Sequence, residues 1–333
     1  MSINKLKKLF LSNSQINTFT DCEFKWYLDK VQKLRPNYLG SALWVGGAID
    51  SATEAYLLEK SDIEKVFLDS LAKFEVNGKP KTLPKDILAV KLFASDLDEK
   101  LLTPLQETVN EYCESLDLEG VEIAAFLEYC KKKRKAKSAL SESEQKIFNY
   151  MGYLSLQEKG KLIVKALKEW LDENVAETHY CQKKILIKNE NGDSFIGYLD
   201  FVVTLKDGRK VLIDLKTSSD PAKYYPKESA AKSRQLGIYA QEEGIEDVGY
   251  LVADKKIRVR EPRVRLSFVE GKITEEHLDE VFEEIETVTE KIKEKLQYGI
   301  GAFDKNLDSC NLFGGCPYAA YCHKGSKDEL EQL

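Results

Sequence analysis

The 333-residue chain has only three histidines, two methionines and eight prolines. So small a pool of imidazoles argues against a histidine-rich metal centre, and metal ligands must be sought among carboxylates and thiols. Long apolar runs are missing too. None approaches the ~20 residues that a membrane-spanning helix needs, and the apolar part of MSINKLKKLFLSNSQ is too short for a secretory leader. A cytoplasmic location with no membrane partner is the expectation. Positive charge is not in excess: the formal net charge is −6, so any surface for polyanions must be local. No repeat or low-complexity tract breaks the chain. What is present is 43% hydrophobic residues, enough for a sizeable core in one large or two modest domains. Seven cysteines without a leader read as thiols or metal ligands rather than disulfides.

The most informative stretch is 195–216, FIGYLDFVVTLKDGRKVLIDLK. Two apolar, β-branched runs flank Lys206-Asp207-Gly208, a strong hairpin signal. A three-residue loop with Gly208 left-handed pairs Leu205 with Arg209 and brings Asp200 opposite Asp214. A two-residue loop would put the aspartates on opposite faces. Alternation then sets Lys216 on the face of Asp214. Two facing carboxylates repel unless a cation lies between them, and hard oxygen ligands suit Mg²⁺ or Mn²⁺. Lys216 beside them suits orienting or deprotonating an attacking water, or stabilising developing negative charge, as phosphodiester hydrolysis requires. The other reading of these residues is a surface hairpin with an Asp–Lys ion pair.

G-Y-L-D at 197–200, D-L-K at 214–216 and Q-L-G-I-Y at 235–239 together resemble the PD-(D/E)XK nuclease superfamily, in its RecB-like and AddB-like branch. The likeness extends to CRISPR-associated RecB-like exonucleases. It implies an α/β fold: a restriction-endonuclease-like mixed sheet flanked by helices. It implies metal ligation by Asp200, Asp214 and the Leu215 carbonyl, with Lys216 catalytic and Gln235 and Tyr239 positioning the scissile strand. The helix at 43–60 resembles the family's G-x-x-I-H-x-x-x-E segment, but carries Asp50 where the family has His. Asp50 can still bind a hard cation, and Glu54 matches the family's acid one turn on. Gln182 lies near where many relatives place a further Glu.

Cys310, Cys316 and Cys322 fall within thirteen residues of one another, in SCNLFGGCPYAAYCH at 309–323. Such spacing in a chain without a leader favours Zn²⁺ or an iron–sulfur cluster, and a closed site needs a fourth ligand. Ser12-Asn13-Ser14 with Cys22 and Trp26 resembles the family's opening, in which the cysteine is the first cluster ligand. The resemblance implies a [4Fe–4S] clasp of Cys22, Cys310, Cys316 and Cys322 that joins the chain ends. His323 is the local competitor, for a Cys₃His zinc site. Cys113, Cys130 and Cys181 have no spaced partners and read as packing.

Residues 61–174 look helical, with helices at 61–76, 88–116, 121–137, 141–157 and 161–173. The expected divisions are 1–60 (first part of the nuclease domain), 61–175 (helical insertion), 176–300 (nuclease core) and 301–333 (cysteine segment and tail). Asn13 or Ser14 caps the first helix. Strands are expected at 180–188, 247–253 and 257–269, and helices at 229–243 and 274–298. Two basic runs suit DNA phosphates: Lys131, Lys132, Lys133 and Arg134 on a helix, and the same-parity Lys256, Arg258 and Arg260 on a strand. Solvated faces are the alternative for both. The expected activity is a metal-dependent deoxyribonuclease, an exonuclease on single strands or DNA ends. The alternative is a DNA-binding accessory subunit of a helicase or recombination protein. No G-x-x-x-x-G-K-[ST] occurs, so a motor would be another chain.

Overall fold

A computed structural model describes residues 8–118, 120–135, 139–188, 192–256, 263–310 and 315–333. At its centre lies a six-stranded mixed sheet. The strands are β1 (Phe10–Leu11), β2 (Val175–Lys188), β3 (Ser194–Leu205), β4 (Lys210–Ser218), β5 (Asp247–Asp254) and β6 (Leu266–Lys272). They run in the order β2-β3-β4-β5-β6, with β1 against the start of β3. The β1–β3 and β4–β5 pairs are parallel and the others antiparallel.

The β3–β4 turn follows its local chemistry. Leu205 N–H donates to the Arg209 carbonyl at 2.8 Å, and Gly208 has φ +89°. Pairing runs from Thr204↔Lys210 to Phe201↔Ile213, and the same count carries Asp200 opposite Asp214. This is the three-residue loop; the two-residue register does not occur.

The helices are α1 (Asn13–Asp21), α2 (Glu23–Lys30), α3 (Ser41–Glu59), α4 (Ile63–Ala72), α5 (Gln106–Glu114), α6 (Ile123–Lys135), α7 (Glu142–Asn174), α8 (Arg234–Glu243), α9 (Glu275–Tyr298) and α10 (Ala319–Lys324). Strand alternation divides the sheet between two cores. Phe201, Val203, Ile213 and Leu215 pack under α3 to α7. Val202 and Leu212 pack with α1, α2, α8 and α9. Leu167 and Leu171 of α7 are buried in one cluster with the sheet residues.

Several local expectations give way. The helix at 61–76 stops at Ala72, and Lys73–Val76 pairs with Lys79–Thr82. Asn77 (φ +52°) and Gly78 (φ +73°) make the turn, an Asn-Gly hairpin signal that outweighs the helical pattern. The stretch 88–116 is broken by Asp96, whose carboxylate accepts from Phe93 N–H, and by Asp98, which accepts from Lys100 N–H. Helices 141–157 and 161–173 are one helix, α7. Gly160 continues it, because a Cβ there would lie 1.9 Å from Cζ of Phe67 on α4. Ser12, not Asn13 or Ser14, caps α1 by accepting from Gln15 N–H. The helix expected from 229 begins at Arg234, capped by Ser233. Strand 257–269 falls partly outside the described residues; its described part starts at Leu266 and runs to Lys272.

The chain ends meet. Leu34–Pro36 pairs antiparallel with Leu330–Gln332. Lys295 of α9 ion-pairs with Glu23 of α2 and with Asp304. Among the described residues no helix is long and apolar enough to cross a membrane.

Candidate active site

The β3–β4 hairpin brings Asp200, Asp214 and Lys216 together. Asp200 Oδ2 accepts from the Leu215 N–H at 2.7 Å. Its Oδ1 accepts from Gln182 Nε2 at 3.4 Å, Gln182 lying on β2 with φ +47°, a backbone state rare outside glycine. Gln182 thus stands beside Asp200, where a further carboxylate would have added negative charge. Asp214 is 1% exposed. Its Oδ1 accepts from Gln235 Nε2 at 3.0 Å, and its Oδ2, buried and without a hydrogen bond, ion-pairs with the Lys216 ammonium.

Burial pushes the Asp200 carboxyl well above the usual carboxylate range, and the Asp214 charge pushes it further; Lys216 opposes both. Asp50 of α3 joins the same field. Burial raises it to about 6, with Lys216 lowering it and Asp214 raising it. Burial disfavours the Lys216 charge, but Asp214 and Asp200 more than offset that and hold the ammonium above its ordinary range. Paired in this way, Lys216 is held as a cation. Glu54 lies near enough, with Asp200, to raise Cys181; burial is the larger cause, and the thiol reaches about 12.

Gln235 is the centre of a relay that sequence reasoning missed in part. Asn13 Nδ2 donates to Gln235 Oε1 at 3.3 Å, and Arg234 Nε donates to Asn13 Oδ1 at 2.8 Å. Arg234 also bonds Asn17 and ion-pairs with Glu284. The Ser-Asn-Ser opening was the available signal for Asn13; nothing local marks Arg234. Tyr239, one turn beyond Gln235, is 2% exposed and lies against β3. A Cβ on Gly197 would come within 2.3 Å of the Tyr239 hydroxyl. Tyr239 therefore packs closely on Gly197. The first residue of G-Y-L-D and the last of Q-x-x-x-Y form one packing unit.

The donor set fits a hard divalent cation chemically: three carboxylates share one field, and Asp214 Oδ2 is buried without a hydrogen bond. Even so, among the described residues no three His, Cys, Asp or Glu side chains already converge as a metal cage. Leu215 N–H, Gln182, Gln235 and Lys216 occupy the carboxylates instead.

Cys22 sits at the break between α1 and α2, with extended backbone. Its Sγ accepts from Asn306 N–H at 3.5 Å, while Cys310 Sγ reaches Asn306 O at 3.9 Å and His323 Nε2 at 3.8 Å. Burial raises the Cys310 thiol, with Cys322 and Cys22 adding to it. Burial likewise raises Cys316, with Cys310 and Cys22 contributing. The chain ends thus gather Cys22, Cys310, Cys316 and Cys322 around one junction without a formed metal cage among the described residues. Cys113 and Cys130 are core residues.

Of the basic runs, Lys131 pairs with Glu128 at 2.7 Å, and Lys133 lies 3.6 Å from Glu144 and over the Tyr129 ring. Lys132 is on the same helix, α6; the Arg134 side chain lies outside the described residues. Lys256 is exposed after β5, and Arg258 and Arg260 lie outside the described residues.

A mixed sheet whose antiparallel hairpin presents Asp200, Asp214 and Lys216, with a glutamine from the following helix, defines a PD-(D/E)XK-type site. The family model of the PD-(D/E)XK nuclease superfamily matches residues 11–323, and the chain belongs to that superfamily. No curated protein matches it. Among solved structures, the crystal structure of SSO0001 matches over 49% of this chain and 70% of its own, at 17% identity and a TM-score of 0.24. That likeness is too low to bear on function.

Proposed function

We propose that this nuclease is a Mg²⁺- or Mn²⁺-dependent deoxyribonuclease, an exonuclease acting on single strands or DNA ends in recombination or repair. The observation that carries the reading is the convergence of Asp200, Asp214 and Lys216 across one hairpin register. Asp50, Asp200, Asp214 and the Leu215 carbonyl would hold the cation, which would polarise a phosphoryl oxygen and acidify water. The chain's own groups do the rest. Lys216, kept as an ammonium, stabilises charge developing on the phosphate. Gln235, anchored by Asn13, holds Asp214 in place. Cys22, Cys310, Cys316 and Cys322 would carry a [4Fe–4S] cluster with a structural role; Zn²⁺ with His323 as a ligand is the alternative. The iron and sulfide content of anaerobically purified protein decides between the two.

A second reading is supported by Asp50 in place of His and by Gln182 beside Asp200: a DNA-binding subunit whose cutting depends on a helicase or recombination partner. End-labelled single- and double-stranded DNA, incubated with Mg²⁺, Mn²⁺ or EDTA, tests both. Metal-dependent cleavage by wild type, reduced at least about 100-fold in Lys216→Ala and Asp214→Asn, is the expected result. Unchanged rates in these variants would remove the proposed site. DNA binding without cleavage in any metal would favour the second reading.

A further inference from the structure

Two cavities meet at the N-terminal end of α3. The first, about 430 Å³, is lined by Lys159 of α7 and by Lys255 and Lys256, which follow β5. The second, about 500 Å³, is lined by Tyr38, Lys91 and Phe93. Both include Ser41 and Ala42, so they lie side by side across the first turn of α3, as two lobes of a groove. Lys159, Lys255 and Lys256 line the first end with Asp96 and Asp98, and the second carries Tyr38 and Phe93 among Lys25, Arg35 and Lys91. Thr217, the residue after Lys216, lines the first lobe, so the groove touches the strand that carries Lys216, on the face that alternation sets opposite to it.

Among the described residues the lysines at the first end of the groove, Lys159, Lys255 and Lys256, make no ion pair, in a chain of net charge −6, whereas Lys91 at the other end pairs with Glu329. Asp96 and Asp98 also line the wall, but each accepts from a backbone N–H, of Phe93 at 2.8 Å and Lys100 at 3.2 Å. Burial lowers the Lys255 ammonium from its ordinary value; Asp96 works against this and Lys159 adds to it. Gly40, which caps α3, offers no side chain to the first-turn N–H groups, which adds partial positive charge at the same place. At the other end, the Lys91 ammonium lies 4.3 Å from the centre of the Tyr38 ring and ion-pairs with Glu329 at 3.0 Å, which fixes the ring's position.

We propose that this groove seats one DNA single strand, with phosphates over Lys159, Lys255 and Lys256 and bases against Tyr38 and Phe93. A strip of cations with interleaved aromatic rings is how sequence-tolerant single-strand sites are built. A duplex keeps its bases stacked inside and presents only edges, so it has no base face to offer Tyr38 and Phe93. The proposal rests on the nuclease reading and deepens it: the strand entering the site is single.

The test is a binding titration of the full chain with labelled oligothymidylate and with blunt duplex, in EDTA, over a range of salt. Lys159→Gln and Lys255→Gln should each weaken oligothymidylate binding about tenfold and lower the salt slope by roughly 0.7 for each phosphate no longer neutralised. Tyr38→Leu and Phe93→Leu should weaken it about tenfold without changing the slope. Lys232→Gln, at an exposed residue outside the groove, is the control. Melting temperature checks each variant's fold, and Lys256→Gln, at an exposed position, replaces any variant that fails it. Wild-type affinity and slope in the lysine variants, equal losses for duplex, or no binding by wild type would each overturn the groove. Because binding is read without cleavage, the two readings fail separately. Groove-dependent binding without metal-dependent cutting would reject the nuclease reading alone. Cutting with normal binding in the groove variants would reject the groove alone.

Discussion

Placing one methyl group on Gly197 tests whether the strand and helix motifs act as a unit. A Cβ there would lie 2.3 Å from the Tyr239 hydroxyl, 2.4 Å from Cε1 and 2.7 Å from Cζ. Ordinary heavy-atom contacts are about 3.5 Å or more, so the ring or the strand must move by roughly 1 Å. Tyr239 is buried in a core that includes Leu199, Ile185 and Leu236. Overpacking of this kind costs about 1–3 kcal/mol. For a chain of 333 residues, an unfolding entropy of about 2.1 cal/mol/K per residue converts 2 kcal/mol into a fall of roughly 3 °C in melting temperature. The shift has a functional consequence, because Gln235 is one turn from Tyr239 on α8. Its 3.0 Å hydrogen bond to Asp214 would lengthen with the helix. Gly197→Ala should therefore melt about 3 °C low and cut about tenfold more slowly. Calorimetry and single-turnover cleavage read the two effects. The double variant Gly197→Ala/Tyr239→Ala should be less destabilised than the sum of its singles by about 1 kcal/mol or more. Wild-type melting in Gly197→Ala, or strict additivity in the double variant, would refute the reasoning.

Gln235→Leu removes the donor to Asp214 Oδ1 and should lower the single-turnover rate about 10–100-fold, with oligonucleotide affinity in EDTA unchanged. Asp50 has a folded-state value of about 6 against an ordinary 3.8. Between these values the unfolded chain binds fewer protons than the folded one, so metal-free wild type loses stability as pH rises from about 4 to 6, by at most about 3 kcal/mol. In EDTA, Asp50→Asn should thus gain on wild type in melting temperature over that window and keep a constant advantage above it. A pH-independent difference would show that Asp50 titrates normally. Lys295→Met removes the cation shared by Glu23 and Asp304 but leaves Glu23 paired with Lys291, and should cost about 1 kcal/mol, read by calorimetry together with faster proteolytic release of the C-terminal segment.

The hairpin was legible in the sequence because its determinants are local. Gly208 accommodates φ +89°, the flanking β-branched runs extend, and a two-residue period then sets Asp200 against Asp214. The single long helix α9 was legible for the same reason, with Thr274 at its cap and a lysine in its last turn. Local chemistry also explains one failure: the expected helix 61–76 runs up to the Asn77-Gly78 turn, whose hairpin takes residues 73–76 as its first arm.

Other features depended on which surfaces meet. Gly160 and Gly197 look like punctuation in the sequence, yet each marks a close approach, to Phe67 and to Tyr239. Asn13 and Gln235 are 222 positions apart, and no periodicity links them. Cys22 is spaced from its partners by almost the whole chain, and only the packing of α2 against α9 and the 303–306 segment brings it to Cys310. The hairpin and the charged groups on it were legible in the sequence by itself because turn geometry and side-chain alternation act over a few residues, while the structure chose the three-residue register. The tertiary structure alone decided how deeply those groups are buried, which neighbours shift their protonation and where a groove opens beside them, because burial and close approach are properties of distant segments packed together.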